Sequence, residues 1–254
     1  MGLLALSARA CVAGANSADA VAKSRVTDRF TPRLELLPDP QKRLWPELLP
    51  ASNLGFVLYG GTAIALRLGH RPSVDFDFFS DKPLDKSALQ KALKFIRRSN
   101  VIQDQPDTFT ILVPDSRAAS DYVKVSFFGN LDFGRVGQPQ FTDDGVLQVA
   151  SLDDLLATKL KVILQRIEAK DYRDIAAMLA AGVDLSKGLA AARAIYGNQF
   201  QPSESLKAMV YFEGGDLQSL TSQEKSALIS AAGSVRELPQ VDILSRELSS
   251  SVSP

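Results

Sequence analysis

Two aspartates, Asp75 and Asp77, stand two residues apart in a segment that is otherwise apolar. The alternation predicts a β-strand with both carboxylates on one face, about 7 Å apart along the chain, and aromatic residues on the other face. Neighbouring carboxylates repel, and a proton or a cation must relieve that repulsion. Such oxygen ligands suit Mg²⁺ or Mn²⁺, with substrate phosphates and water completing the coordination shell. An isolated pair of this kind is also compatible with a solvated strand that has no function.

A glycine turn precedes the two aspartates. Gly60, Gly61 and Thr62 follow a predicted strand and open a predicted helix, where free backbone amides can hold a phosphate. The glycines let an anion approach the backbone, and Thr62 adds a hydroxyl donor. Arg71 and Ser73 lie just before the acidic strand, within reach of the same phosphate oxygens. The triplet alone is equally compatible with a simple turn, and it is not the G-x-G-x-x-G pattern of dinucleotide folds.

Charged residues also fall on the apolar faces of two predicted helices in the second half of the chain. Lys159 and Arg166 lie within or beside the apolar stripe of the first helix, whereas Lys161 points away from it. In the next helix, Asp171 and Asp174 share the apolar face. Buried charges need partners, because stranding one costs several kcal/mol. Two interpretations stay open: ion pairs that join the helices, or a lysine that reaches a triphosphate and is oriented by Asp174 and Arg166.

Composition narrows the classes of function. Lys plus Arg equals Asp plus Glu at 29 each, so no overall positive field indicates a nucleic-acid partner. A single cysteine, Cys11, excludes an internal disulfide framework and fits a reducing compartment, and a single histidine, His70, leaves too few ligands for a Cys/His zinc site. No apolar run approaches the roughly 18 residues that a membrane span requires. We therefore expect a cytoplasmic protein without a membrane partner.

The coarse pattern predicts an α+β protein, a mixed sheet with flanking helices followed by a helical region. Strands are predicted over 56–59, 74–79, 109–113 and 122–128, with helices over 41–49, 62–68 and 86–98. Further helices are predicted over 152–167, 171–180, 185–196, 203–212 and 222–232. We expect residues 1–40 to form a poorly ordered extension, 41–150 the catalytic core, and 151–254 a helical domain that completes the cleft.

The motifs taken together resemble the AbiEii/AbiGii toxin family, within the polymerase-β-like nucleotidyltransferase superfamily. The stretch 59–79, Tyr-Gly-Gly-Thr-Ala-Ile-Ala-Leu-Arg-Leu-Gly-His-Arg-Pro-Ser-Val-Asp-Phe-Asp-Phe-Phe, is similar to the first motif of that family. The later helical motifs are matched in order and spacing by Asp154-Leu155, Lys159-Leu160, Arg166, and Lys170-Asp171 to Asp174. The resemblance covers residues 41 to 180, and the combination is more specific than either half.

The resemblance implies a magnesium- or manganese-dependent nucleotidyltransferase. Asp75 and Asp77 would bind the metal, and Lys159 and Asp174 would supply the other catalytic contacts. Nucleotide binding would involve Gly60, Gly61, Thr62, Arg71, Ser73, Lys159 and Arg166. The family also implies a nucleoside triphosphate donor, a cognate antitoxin, and transfer RNA as an acceptor, because some members add nucleotides to transfer RNA 3′ ends.

One position departs from the wider superfamily, in which many enzymes carry a third carboxylate on a following central strand. The strand predicted over 122–128 offers Lys124 and Ser126 on one face and no acid, and neither Asp121 nor Asp132 is a convincing substitute. Several interpretations therefore stay open: a single-metal transferase, a protein that binds a nucleotide or a partner without catalysis, or a transferase that modifies a protein or small molecule.

Overall fold

The computed structural model describes residues 29–118 and 121–250. These residues form eight strands: β1 (Arg29–Phe30), β2 (Val57–Tyr59), β3 (Asp75–Phe79), β4 (Asn100–Gln105), β5 (Thr108–Pro114), β6 (Tyr122–Phe128), β7 (Gln140–Thr142) and β8 (Gln148–Val149). They also form nine α-helices: α1 (Asp39–Leu44), α2 (Leu49–Asn53), α3 (Gly60–Leu68), α4 (Lys86–Ala92), α5 (Leu152–Val162), α6 (Ala169–Ala180), α7 (Leu185–Tyr196), α8 (Pro202–Val210) and α9 (Ser222–Ser234).

One mixed sheet carries all eight strands in the order β1-β7-β8-β2-β3-β6-β5-β4. At its centre, β3 pairs with β2 in the antiparallel sense and with β6 in the parallel sense. The parallel pairing sets Asp75 opposite Lys124 and Asp77 opposite Ser126. The predicted α+β architecture, a mixed sheet with flanking helices and a helical C-terminal region, is confirmed.

Aromatic packing fixes which face of β3 turns away from solvent. Phe76 and Phe78 are fully buried. The ring of Phe78 stacks on that of Phe127 with the centroids 5.2 Å apart, and Phe56 meets Phe127 edge-on at 5.2 Å. Since side chains alternate along a strand, burial of these phenylalanines leaves Asp75 and Asp77 on the opposite face.

The helical second half packs directly on the sheet-bearing half. Buried side chains from both form a single hydrophobic cluster, which includes Leu58 and Ile64 as well as Leu156 and Ile175. Helix α3 contributes a continuous buried run, Ala63 to Leu66, and ends at Gly69, whose φ of +70° is the left-handed conformation that closes many helices. No helix within 29–118 and 121–250 is long and apolar enough to cross a membrane.

The structure corrects the assignment of residues 29–40 to a poorly ordered extension. Strand β1 pairs with β7, the amide of Arg33 donates to the carbonyl of Leu66 at 2.9 Å, and α1 begins at Asp39. Residues 1–28 of the predicted extension lie outside the described residues. The segment 29–40 therefore belongs to the folded core.

Three predicted helices end well before their predicted bounds. The helix predicted over 41–49 ends at Leu44 and gives way to a 3₁₀ helix, Trp45–Leu48. The helix predicted over 86–98 ends at Ala92 and, after Leu93, gives way to a 3₁₀ turn. The helix predicted over 152–167 ends at Val162, because the apolar residues beyond it do not continue one buried face. Ile163 is 3% exposed, but Leu164 and Ile167 are 37% and 48% exposed.

Some strands escaped prediction for a related reason. All six residues of β4, at the edge of the sheet, are exposed, so no apolar alternation marks that strand. Strands β7 and β8 are three and two residues long, too short for a periodic signal.

Arg67 joins α3 to the sheet. Its guanidinium donates to the carbonyls of Ala150 and Val149, both at 3.0 Å, and to the side chain of Gln140 at 2.7 Å. It also lies 4.3 Å from the ring centre of Phe30. Burial lowers the pKa of Arg67 to about 10, so the group remains protonated at neutral pH.

We expect Arg67→Met to lower the free energy of unfolding by about 2 kcal/mol, because it leaves buried carbonyls without a donor. Urea denaturation measures this loss. Arg97→Met, at an exposed position, serves as the control and should change the unfolding free energy little. Equal losses in the two variants would contradict a structural role for Arg67.

Candidate active site

A cleft of about 620 Å³ opens between the sheet and the helices α5 and α6. Its lining includes both aspartates of β3, both glycines of the turn, and residues from β6 and α5. Five cationic side chains face it against two acidic ones: Arg71, Lys124, Lys159, Arg166 and Lys170 against Asp75 and Asp77. An excess of positive charge around two carboxylates suits a ligand that carries several negative charges.

The acidic strand and the glycine turn are in direct contact. Tyr59 pairs with Asp77 across β2 and β3, which brings Gly60 against the Asp77 side chain. A Cβ atom at position 60 would lie 2.7 Å from Asp77 Oδ2, and the φ of Gly60 is +74°. Only glycine satisfies both conditions. Asp75 and Asp77 therefore share one face and lie beside the turn.

The environment of Asp77 opposes its negative charge. Burial raises the pKa of Asp77, and the neighbouring charge of Asp75 raises it further. The positive charge of Lys124 and a hydrogen bond with Ser126 act in the opposite direction but do not cancel the effect. A divalent cation would offset the cost of ionising Asp77, because its positive charge favours the ionised carboxylate.

The glycine turn also gives room to an arginine. A Cβ atom at Gly61 would lie 2.6 Å from Arg71 Nη2 and 3.2 Å from Ser73 Oγ. Helix α3 begins at this turn, and Tyr59, which precedes it, makes no side-chain hydrogen bond to the amides of the first turn. Gly60, Gly61, Arg71 and Ser73 all line the cleft.

Thr62 has a different place from the one predicted. Its side chain is 1% exposed, and it does not line the cleft. The hydroxyl is hydrogen-bonded to Ser73 Oγ at 2.8 Å and to the backbone carbonyl of Asp75. Thr62 thus fastens the start of α3 to the start of β3, which holds the glycine turn beside the acidic strand.

Lys159 is held by two buried carboxylates. Its Nζ lies 2.6 Å from Asp171 Oδ1 and 2.6 Å from Asp174 Oδ2. Both carboxylates are fully buried, the lysine side chain is 7% exposed, and Lys159 still reaches the cleft. Ion pairs therefore join α5 to α6, as one of the two interpretations expects. Lys159, which forms them, also lines the cleft, as the other interpretation expects.

Asp174 is predicted as a catalytic residue, but its carboxylate is fully buried and does not line the cleft. It accepts hydrogen bonds from His70 Nε2 at 2.7 Å and from Arg71 Nε and Nη2 at 2.7 and 2.9 Å. Burial alone would raise the pKa of Asp174, but the His70 hydrogen bond and the charges of Lys159 and Arg71 hold it well below its usual range. The geometry makes Asp174 a positioning residue for those side chains.

Arg166 lies in the turn after α5, since the helix ends before it, yet it still lines the cleft. Its Nε donates to Asp171 Oδ2 at 2.8 Å. Burial would raise the pKa of Asp171, but the Arg166 hydrogen bond and the charge of Lys159 outweigh it and lower the pKa. The predicted partnership of Arg166 with Lys159 thus runs through Asp171.

Among the cleft residues absent from the predicted site, Lys124 and Ser126 lie nearest to the acidic pair along the sheet. Lys124 Nζ lies 3.0 Å from Asp75 Oδ2, and Ser126 is hydrogen-bonded with Asp77. The place of Lys124 and Ser126 in the cleft depends on the pairing of β6 with β3, which the sequence alone does not give. The only sequence feature that pointed to these positions was the lack of an acid on this strand. Within 29–118 and 121–250, no group of three or more His, Cys, Asp or Glu side chains could hold a metal ion.

Two carboxylates are nevertheless a suitable protein contribution for Mg²⁺, which commonly takes one or two carboxylates and completes its shell with phosphates and water. Lys124 neutralises part of the charge of Asp75, but the raised pKa of Asp77 shows that the pair is not fully compensated by the protein. The residues present therefore fit a divalent cation that arrives with a phosphorylated ligand.

We expect Asp77→Asn to raise the melting temperature at neutral pH by a few degrees. A carboxyl whose pKa is raised in the folded state binds its proton more tightly there, so ionisation at neutral pH favours unfolding. The gain should shrink as the pH falls through the usual aspartate range, where both states are protonated. Differential scanning fluorimetry without added metal measures it, with the exposed Asp242→Asn as control. A lower melting temperature than wild type would contradict this account.

Comparison with known proteins agrees with the geometry. The family model described as nucleotidyl transferase AbiEii toxin, type IV toxin–antitoxin system, matches residues 44–243. An uncharacterised protein from Aquifex aeolicus (strain VF5) is 31% identical over 161 residues, which are 62% of this chain and 74% of that protein.

Two solved structures share the fold at low sequence identity. The nucleotidyltransferase toxin MenT4 from Mycobacterium tuberculosis H37Rv superimposes with a TM-score of 0.50 at 13% identity, over 76% of this chain and 87% of that one. An antigenic nucleotidyltransferase-like protein from Paracoccidioides brasiliensis gives a TM-score of 0.51 at 15% identity, over 82% and 96% of the two chains. Since the family model spans most of the sequence and the fold agrees, the chain belongs to the AbiEii family of nucleotidyltransferase toxins.

Proposed function

We propose that the protein transfers a nucleotidyl group from a nucleoside triphosphate to an acceptor hydroxyl, with Asp75 and Asp77 holding Mg²⁺ or Mn²⁺. The observation that carries this proposal is the meeting of the two carboxylates, the glycine turn and Lys159 in one cleft. In the reaction, the acceptor oxygen bonds to the α-phosphorus, the bond from that phosphorus to the bridging oxygen breaks, and pyrophosphate leaves. The hydroxyl proton passes to water.

The glycine turn is suited to the phosphate chain. Helix α3 starts at Gly60, so its first amides and the positive end of the helix dipole face an anion in the cleft. Arg71 and Ser73, beside Gly61, add a guanidinium and a hydroxyl. Because Arg71 is held in a bidentate pair with the buried Asp174, its position is set before a nucleotide arrives.

The carboxylate pair is suited to the metal. When bound there, a divalent cation would polarise the phosphate and stabilise the charge that develops on the leaving group. Asp75 and Asp77 are each half-buried, so they remain reachable from the cleft. Ser126 stands opposite Asp77 in the parallel register and lines the cleft beside it.

Lys159 supplies a fixed positive charge on the opposite wall. The buried Asp171 and Asp174 hold its ammonium group, and Arg166 and Lys170 line the same side of the cleft. A preorganised charge stabilises a developing anion without the cost of reorganisation. We assign to Lys159 the neutralisation of charge on the phosphates, and to Asp174 the positioning of Lys159 and Arg71.

Transfer RNA as acceptor, a cognate antitoxin as partner and a cytoplasmic location complete the proposal. Membership of a toxin family of a type IV toxin–antitoxin system supports the antitoxin, and the single cysteine fits a reducing compartment. The rival function is binding without catalysis. The ion pair between Lys124 and Asp75, together with the missing third acid, favours that rival.

A labelling assay separates these functions. The purified protein is incubated with each α-labelled nucleoside triphosphate, Mg²⁺ and total transfer RNA. We expect labelled RNA from the wild type and at least a hundredfold less from Asp75→Asn and Asp77→Asn, because loss of a metal ligand removes most transition-state stabilisation. Nucleotide binding without transfer would support the rival function, and label on protein would assign a protein acceptor.

The two lysines of α5 test the assignment of Lys159. We expect Lys159→Ala to lower the transfer rate about a hundredfold. Lys161→Ala should leave the rate within about twofold, because Lys161 bonds the carbonyl of Gln199 outside the cleft. Melting temperatures of both variants control for folding, since Lys159→Ala also removes one partner from each of two buried carboxylates. Equal loss of rate in the two folded variants would remove Lys159 from the site.

A further inference from the structure

Strand β6 presents a lysine beside the two carboxylates of β3. Its parallel register with β3 sets Lys124 opposite Asp75 and Ser126 opposite Asp77. Lys124 Nζ lies 3.0 Å from Asp75 Oδ2, and both side chains line the cleft. The pair is 40% and 32% exposed, so the contact is open to the space that a substrate would fill.

The neighbouring strand offers no acid to this position. Strand β5 pairs with β6 so that Thr110 stands opposite Ser126 and Leu112 opposite Lys124. The wall of the cleft formed by β3, β6 and β5 therefore carries two carboxylates and one ammonium group, a net charge of minus one. Three carboxylates at the same positions would carry minus three.

Charge balance determines how many divalent ions such a wall can hold. Three carboxylates and a bound polyphosphate would together supply the negative charge that two divalent cations require. In this cleft, the ammonium of Lys124, 3.0 Å from Asp75 Oδ2, already neutralises part of the charge of Asp75. A second divalent ion beside Lys124 would meet a positive charge where it needs a ligand.

We propose that the Lys124 ammonium group takes the place of one of the two divalent ions, so that the loaded site holds a single divalent ion for each nucleotide. This inference rests on the proposed function, because it concerns the metal site formed by Asp75 and Asp77. Lys124 acts as a permanent monovalent cation on β6, and Asp77 with Asp75 retains one divalent position. Lys124 thereby becomes a functional residue of the site and not a surface lysine.

The stoichiometry of Mn²⁺ binding tests the proposal without requiring catalysis. Free Mn²⁺ is measured by electron paramagnetic resonance during titration of the full chain that holds an α,β-methylene nucleoside triphosphate, which does not release pyrophosphate. We expect one Mn²⁺ per chain for the wild type. Lys124→Glu should bind two, because it restores three carboxylates. Lys124→Met should bind one, with about tenfold tighter affinity without nucleotide, because Asp75 loses its ion pair.

Lys86→Met is the matched control, since Lys86 also forms an exposed ion pair with an aspartate, Asp104, on the outer strand β4. It should leave both stoichiometry and affinity unchanged. Two ions on the wild type, or one ion on Lys124→Glu, would overturn the role of Lys124 while leaving the proposed transferase intact. No Mn²⁺ on the wild type, or binding unaffected by Asp75→Asn, would remove the metal site itself and with it both proposals.

Discussion

The site depends on a lysine that the fold buries between two carboxylates. Lys159 comes from α5, while Asp171 and Asp174 come from α6, so the ion pairs set the relative position of the two helices. Asp174 extends the network to Arg71, in the loop before the acidic strand. Burial of these charges is expensive, and removal of any one would leave the remaining charges less well compensated. The network therefore couples the helical region to the sheet at the cleft.

A second constraint is the close approach of the glycine turn to the acidic strand. Tyr59 and Asp77 are cross-strand partners. The first residue of α3, Gly60, therefore packs directly against the Asp77 carboxylate. Thr62 secures the same junction from the buried side. Oxygen ligands and phosphate-binding amides are thus held together by backbone pairing, which is stiffer than contacts between side chains alone.

Features that depend on local periodicity were predictable. The alternation around Asp75 and Asp77 predicts their shared face, and the predicted bounds of α7 and β6 coincide with those observed. Features that depend on distant pairing were not predictable. Lys124 is 49 residues from Asp75 and meets it only through the parallel register of β3 and β6. Hydrophobic residues beyond Val162 resemble a helical stripe although they lie in a turn, because composition alone does not report where burial ends.

The narrow space between Gly61 and Arg71 has a consequence for how sequences of this kind can change. A side chain larger than hydrogen at position 61 would collide with the guanidinium 2.6 Å away, and displacement of that group would take its bidentate partner from the buried Asp174, which would keep only Lys159 and His70. Substitutions at positions 61 and 71 are therefore expected to occur together. A larger residue at position 61 becomes acceptable once Arg71 has been replaced and another side chain supplies its positive charge. Each substitution alone is destabilising, whereas the two together are tolerated.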